Sequence, residues 1–217
     1  MGQYYQAVIE MDGADAPAVV SPLSFPRLIH GKPFGEGQKL VEHSLVEGKV
    51  PASSLTVAFA MGLLSAAGRK GARVWWMGGY ADDVIDRDDR DTWGAFEAAW
   101  VDGPAKRASG EVTEEECERA CTGYLVDLDR HTFVDVAASC NGADSESHWV
   151  FHPLPLLTAV GNGQGSGDYR SGDDRDLDPE GLVGSWAGHR VAWVREAPEA
   201  MAQTICVFAI EVQEPRW

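Results

Sequence analysis

The stretch YLVDLDRHTFVDV, residues 124–136, decides how the chain is read. Tyr124–Leu128 and Thr132–Val136 are aromatic and β-branched runs on either side of a short polar turn. They predict a β-hairpin. Just upstream, Thr113 to Cys121 (TEEECERAC) places Glu116 three residues after Thr113. That is the pattern of a capping box, so a helix starts there. Thr92–Val101 puts Trp93, Phe96 and Trp100 on one helical face. Arg73–Met77 (RVWWM) is a strand closed by Gly78 and Gly79. Leu55–Ala67 is a helix capped by Ser53 or Ser54 and ended by Gly68. Its apolar residues run nearly all round, which predicts burial.

Further out the signals weaken. Lys39–Val46 (KLVEHSLV) has helical spacing and a stop at Gly48. Tyr4–Met11 reads as a strand before an Asp12-Gly13 turn, and residues 12–38 read as loop with a short strand near Ser24–Ile29. Trp149–Thr158 (WVFHPLPLLT) is broken by Pro153 and Pro155. Proline cannot donate to a ladder, so an edge strand leading into an extended segment is predicted. His189–Val194 and Ile205–Glu211 read as strands, with a short helix or strand around Trp186. There is no repeat and no linker. The sum is an α+β chain, a single domain over 1–217, with a mostly antiparallel sheet and two to four helices grouped in residues 39–121.

Charge narrows the function. The 217 residues carry 34 acidic and 18 basic side chains, a net −16. Phosphate contacts need clustered Lys and Arg, so direct nucleic-acid binding is not expected. Residues 80–91, 111–118 and 168–180 hold 17 of the acids and four of the basic residues, so the rest is close to neutral. These are acidic loops on an ordinary body. Solvated surface is the plain reading of them; calcium or a basic protein partner are the sharper ones. No apolar run reaches the ~18 residues of a membrane span, and the N-terminus has no signal-peptide pattern. Cys117, Cys121, Cys140 and Cys206 form no CxxC, which suits free thiols in a reducing cytoplasm.

The segment HPLPLLTAVGNGQGSGDYR, residues 152–170, is the candidate site. Gly161, Gly163, Gly165 and Gly167 alternate with other residues. Glycine lets backbone N–H groups turn toward a ligand, often an anion. Neither the P-loop nor the dinucleotide-binding pattern is present. A solvent loop remains the competing reading. Asp168 and the acids after it would repel bare phosphate, which favours a cation-assisted site. Thr158, Asn162, Tyr169 and Arg170 are the polar partners that a ligand would meet there. His152 is a candidate general base or a packing residue, and His43 and Asp168 complete the catalytic candidates. Glu42, Asp82 and Asp168 are the candidate ligands for a divalent cation. The tryptophans read as core rather than as a pocket lining.

The blocks MGQYY (1–5), KLVEHS (39–44), GGYADD (78–83), YLVDLDRHTFVDV (124–136), HPLPLLTAVGNGQGSGDYR (152–170) and VGSWAGH (183–189) together resemble a group of small bacterial and phage-borne proteins that open with MGQYY. The resemblance spans most of the chain and implies one domain. It implies that the glycine loop belongs to the design, and it carries over no catalytic residue. Three functions follow as expectations. The first is binding of an anionic or nucleotide-like small molecule through 152–170. The second is a metal-assisted hydrolase or transferase at the same place. The third is an acidic interaction or inhibitor protein of phage or mobile-element origin.

Overall fold

The computed structural model describes residues 3–21, 45–47, 55–102, 107–108, 110, 112–141, 149–164 and 181–203. The strands are β1 (Tyr5–Met11), β2 (Ala18–Val20), β3 (Leu45–Glu47), β4 (Ala72–Gly78), β5 (Arg107–Ala108), β6 (Tyr124–Asp127), β7 (Thr132–Asp135), β8 (Trp149–Phe151), β9 (Ala159–Val160), β10 (Arg190–Val194) and β11 (Ala202–Gln203). The helices are α1 (Leu55–Ala67), α2 (Arg90–Phe96, continued as a π-turn over Glu97–Val101), α3 (Glu114–Ala120), α4 (Val136–Asn141) and α5 (Pro153–Leu157).

The sheet runs β11-β7-β6-β10-β4-β1-β2-β5, with β9 also on β4; β3 and β8 pair separately. It is mostly antiparallel. The parallel pairings β2–β5, β4–β9 and β7–β11 are two residues long each. This is the α+β architecture that the sequence predicts. Helices α1 to α3 fall within residues 39–121, while α4 and α5 lie beyond.

Side chains alternate across a strand, so each strand feeds two faces. One face sets Ala7, Ile9, Val74, Trp76, Leu125 and Val191 against Val57, Met61 and Leu64 of α1, the Cys117–Cys121 turn of α3 and the leucines of α5. The other face sets Val8, Trp75 and Met77 against Ala95, Phe96 and Ala99. A smaller cluster joins Val126, Phe133 and Ala192. Trp75, Trp76 and Trp186 are buried, as a core reading requires. A buried residue of this size contributes roughly 1.5–3 kcal/mol or more. Cys117 and Cys121 are buried and form no disulfide.

The predicted hairpin forms, with strands one residue shorter than predicted at Leu128 and Val136 and the pairing Tyr124↔Asp135 to Asp127↔Thr132. Its turn is closed by Asp127, whose Oδ1 accepts the N–H groups of Asp129 and Arg130. His131 completes it at φ 57°. The capping box is also present: Thr113 N–H and Oγ1 donate to Glu116 Oε2, and Glu116 N–H donates to Thr113 Oγ1. Those bonds, the amide first, hold the Glu116 carboxyl below its ordinary range.

Four expectations are corrected. Leu45 and Val46 belong to β3, not to a helix, because Leu45–Glu47 pairs with Trp149–Phe151. Residues 39–44, the rest of that predicted helix, lie outside the described residues. The extended segment after β8 is instead helix α5. Pro153 and Pro155 sit in its first turn, where N–H groups have no intrahelical acceptor and a proline costs nothing. A strand, β2, lies inside the predicted loop 12–38, folded back on β1 from a turn that bonds Ala14 N–H to Met11 O. Around Trp186 the chain is a series of turns. The predicted strands near Ser24–Ile29 and over Ile205–Glu211 lie outside the described residues.

Candidate functional site

The site is set by what happens along β4. One of its edges pairs with β1 throughout, from Tyr5↔Gly78 to Met11↔Ala72. The other edge changes partner. It pairs with β10 at Ala72 and Arg73 and with β9 at Trp76 and Met77. At the changeover Gly188 N–H donates to Val74 O, Val74 N–H to His189 O and Trp76 N–H to Thr158 O. The segment 184–186 is laced to α5 by Gly184 N–H to Leu156 O and Trp186 N–H to Leu157 O, both 2.7 Å.

Where these paths diverge a groove of about 430 Å³ opens. Its one wall is Ala159 to Asn162 with Gly184 and Ala187, and its other wall is Ile85, Asp86, Asp89 and Thr92. It lies alongside β9 and the turn that follows it, which is where Ala159–Asn162 leave the sheet. Gly161 (φ 86°) and Gly184 (φ 76°) sit where a side chain would collide. A Cβ at Gly161 would come within 2.9 Å of Ala81, and one at Gly184 within 2.5 Å of Ala159 O. These glycines are therefore required by packing as well as by φ.

Gln3 holds the groove's end. It is wholly buried. Its Nε2 donates to Gly161 O at 2.7 Å and to the Tyr5 hydroxyl at 2.9 Å, and its Oε1 accepts Tyr80 N–H at 2.7 Å. On the opposite wall Asp89 caps α2, accepting Thr92 Oγ1 at 2.7 Å and Thr92 N–H at 3.2 Å. The Thr92 hydroxyl and then its amide keep the Asp89 carboxyl below its ordinary range. Asp86 Oδ1 accepts Asp88 N–H. The groove's charged lining among the described residues is thus these two carboxylates, with no basic side chain. It favours ligand groups that donate hydrogen bonds or carry positive charge.

The predicted site residues divide. Gly161 and Asn162 line the groove, and Gly163 follows at φ 94° in open space. Thr158 is buried, and its hydroxyl donates to Leu154 O. His152 is buried inside the fold rather than in the groove. Its Nδ1 accepts Leu154 N–H, so the proton sits on Nε2, which donates to Ala120 O at 2.9 Å. Burial pulls its pKa down to about 4, against the pull of the Ala120 bond. Neutral and bonded at both nitrogens, His152 caps α5; no ring nitrogen is left to take a substrate's proton. Asp82 is exposed. Gly165, Gly167, Asp168, Tyr169, Arg170, Glu42 and His43 lie outside the described residues. Among the described residues no three His, Cys, Asp or Glu side chains are grouped as metal ligands.

Sequence reasoning missed Gln3, Asp86, Asp89 and Gly184 as neighbours of the glycine segment. It also missed that His189 Nδ1 meets the buried Asp127 Oδ2 at 2.7 Å. Residues far apart in the chain, at Gln3, Tyr80, 159–162 and 183–187, converge here. No helix among the described residues is long and apolar enough to cross a membrane. No family model, no curated protein and no solved structure matches this chain.

Proposed function

We propose that the protein binds a small polar molecule in the groove beside Gly161, a ligand of nucleotide-like size that presents hydroxyl or amino donors. One observation carries the reading. The only charged groups on the groove's described walls, Asp86 and Asp89, face backbone that two positive-φ glycines shape. A volume of about 430 Å³ lies within the ~300–1,000 Å³ of small-molecule sites. Ribose hydroxyls or an exocyclic amine suit carboxylates and the Asn162 amide. A bare phosphate does not. The anionic part of such a ligand needs a bridging divalent cation or a place at the groove's open end.

Titration calorimetry with adenosine, AMP and AMP plus Mg²⁺ tests this. Adenosine binding is expected, with AMP tightening when Mg²⁺ is added. Asp86→Asn should weaken adenosine about tenfold, the scale of one lost charged hydrogen bond. Flat titrations with all three ligands overturn the reading.

A second reading has its own support. Asp82, Asp83, Asp86, Asp88, Asp89 and Asp91 are all exposed on the segment that leads from the GGYADD turn into the first turn of α2. Such a surface suits a basic protein partner. If docking is the function, Asp82→Asn with Asp83→Asn and Asp88→Asn abolishes salt-sensitive binding of that partner and leaves adenosine titrations unchanged. Cys117 and Cys121, buried and in no disulfide, support a cytoplasmic setting.

A further inference from the structure

The large hydrophobic side chains exposed among the described residues are Tyr4, Val84 and Val101, at 50%, 52% and 66%. All three border the GGYADD turn. Tyr4 O accepts Gly79 N–H at 2.8 Å. Val101 follows Trp100, whose ring lies over Gly79, 3.6 Å from where a Cβ would stand. Val84 follows the turn and lines the groove beside Gly161. Residues 80–102 carry eight acids, all exposed, and two arginines. We propose that this face docks a basic protein segment and that the groove takes an arginine side chain of that segment as its anchor. Such an anchor rests on the docking reading of the acidic segment and gives that surface a pocket.

Three observations support this. The first is the groove's mixed lining. Arginine is a charged fork on an apolar stem; it buries the stem while the fork meets a carboxylate. Val160, Val183 and Ala187 offer the stem apolar surface, and Asp86 and Asp89 are the charged groups beside them. Asp89 accepts from Thr92 with both oxygens, whereas Asp86 accepts the Asp88 N–H with Oδ1 alone. Asp86 is therefore the fork's partner, and Asp89 adds its field. The second is the rim. Single exposed apolar side chains mean little, but three around one turn make an interaction patch. The third is sign. Arg87, one of the two arginines, lies over the Trp93 ring, 5.0 Å from its centre. The face as a whole stays acidic and repels a second copy of this net −16 chain, a nucleic acid or an anionic membrane. A basic segment with apolar residues beside its arginine complements both the charge and the patch.

The test titrates the full chain with the end-blocked peptide Lys-Leu-Arg-Leu-Lys, by calorimetry at about 0.15 M salt, where long-range attraction is screened. Two counterparts replace its arginine: one by citrulline, a neutral isostere, and one by lysine, which keeps the charge without the fork. The arginine peptide is expected to saturate one site, about tenfold tighter than the citrulline peptide, the scale of one charged hydrogen bond. It should exceed the lysine peptide by about threefold, since an ammonium cannot bind a carboxylate as a fork. Asp86→Asn should bring the arginine peptide down to the citrulline level and leave the citrulline peptide unchanged. Val84→Ser should weaken all three. No saturable binding of the arginine peptide, equal binding of either counterpart, or indifference to Asp86→Asn overturns the proposal. Binding that survives Asp86→Asn but falls with Asp82→Asn, Asp83→Asn and Asp88→Asn overturns the anchor and leaves the docking reading standing. Adenosine that binds as tightly in saturating peptide as without it places the peptide outside the groove and overturns the anchor too. Adenosine binding with no peptide binding leaves only the small-molecule reading, and peptide binding with flat adenosine titrations leaves only this one.

Discussion

Gln3 and Gly161, 158 positions apart, are joined by a 2.7 Å hydrogen bond from the Gln3 amide to the Gly161 carbonyl. The same side chain accepts Tyr80 N–H, so one residue ties the start of the chain to both the GGYADD turn and the glycine segment. Gln3→Leu keeps the bulk but leaves the Gly161 carbonyl and the Tyr80 amide without this partner. Each buried unsatisfied group costs ~1–3 kcal/mol. A loss of about 2–5 kcal/mol in urea unfolding is expected, and ligand binding at the groove should fall with it. A change within 0.5 kcal/mol would show that water replaces the amide at no penalty.

The glycines of the segment should not respond alike. Gly161→Ala meets both a left-handed φ and Ala81 at 2.9 Å, whereas Gly163→Ala meets only the φ. The left-handed conformation alone costs roughly 1–2 kcal/mol for a residue with a Cβ. Gly163→Ala should therefore lose about that much, and Gly161→Ala distinctly more. Chemical denaturation of the two variants side by side checks the order, and equal losses would remove the packing argument for Gly161.

His152 gives the fold a pH dependence. Its folded pKa of about 4 lies below the ordinary 6.5, so the unfolded chain binds the extra proton first. Its contribution is complete above about pH 6.5 and declines as pH falls toward 4, by up to ~1.4 kcal/mol per unit. Below that, both states are protonated and the slope ends. Urea melts from pH 4 to 7.5 should show stability falling over this window. His152→Gln should be less stable at pH 7.5 and flatter with pH. A variant with the parent's slope would assign the proton uptake to another group.

Arg73 and Arg190 are direct cross-strand neighbours on β4 and β10. Each is answered from a turn: Arg73 by Asp91 at 2.6 Å, Arg190 by Asp129 through its amide and guanidinium. The Asp91 hydrogen bond pushes the Arg73 pKa further up. Burial pulls the Asp129 carboxyl upward, but Arg190 outweighs it and leaves it lowered. Asp129→Asn exposes the like-charge pair. The pairs are well solvated, so a loss of only about 0.5–1 kcal/mol is expected. Much of it should return in 1 M NaCl, which screens the repulsion. A loss indifferent to salt would point to the turn hydrogen bonds instead.

Asp127 is the harsher position. Its wholly buried carboxylate closes the hairpin turn with one oxygen and meets His189 with the other. Asp127→Ala should cost ~3 kcal/mol or more. Asp127→Asn should cost less, since an amide oxygen can still accept the turn N–H groups. Comparable unfolding energies for the two variants would rule out that division of labour.

The sequence showed what neighbours decide. The hairpin at 124–135, the capping box at Thr113 and the helix 55–67 rest on spacings of a few residues, and all formed as read. Distance defeated the rest. Leu45 and Val46 have helical spacing, yet their partner strand lies a hundred residues on, and tertiary pairing overrides weak local preference. Pro153 and Pro155 spoke against a ladder, but nothing local said that they open a helix. The glycine segment was legible as unusual. Its opposite wall, Asp86 and Asp89, was read only as a charged loop, because no pattern links residue 86 to residue 161.

The changeover of partners on β4 has a consequence for synthesis. β4 is complete by Gly78, but the residues that cover its second edge, 158–160 and 188–191, come 80 to 110 positions later. At ~5–20 residues per second, the ribosome leaves that edge open for roughly 5–20 s. During that time β1 covers only the other edge of β4, while α1 and α2 are already made to cover its faces. An open strand edge invites pairing with other chains, so the second edge of β4 is the part of the nascent chain most exposed to mispairing until its partners emerge.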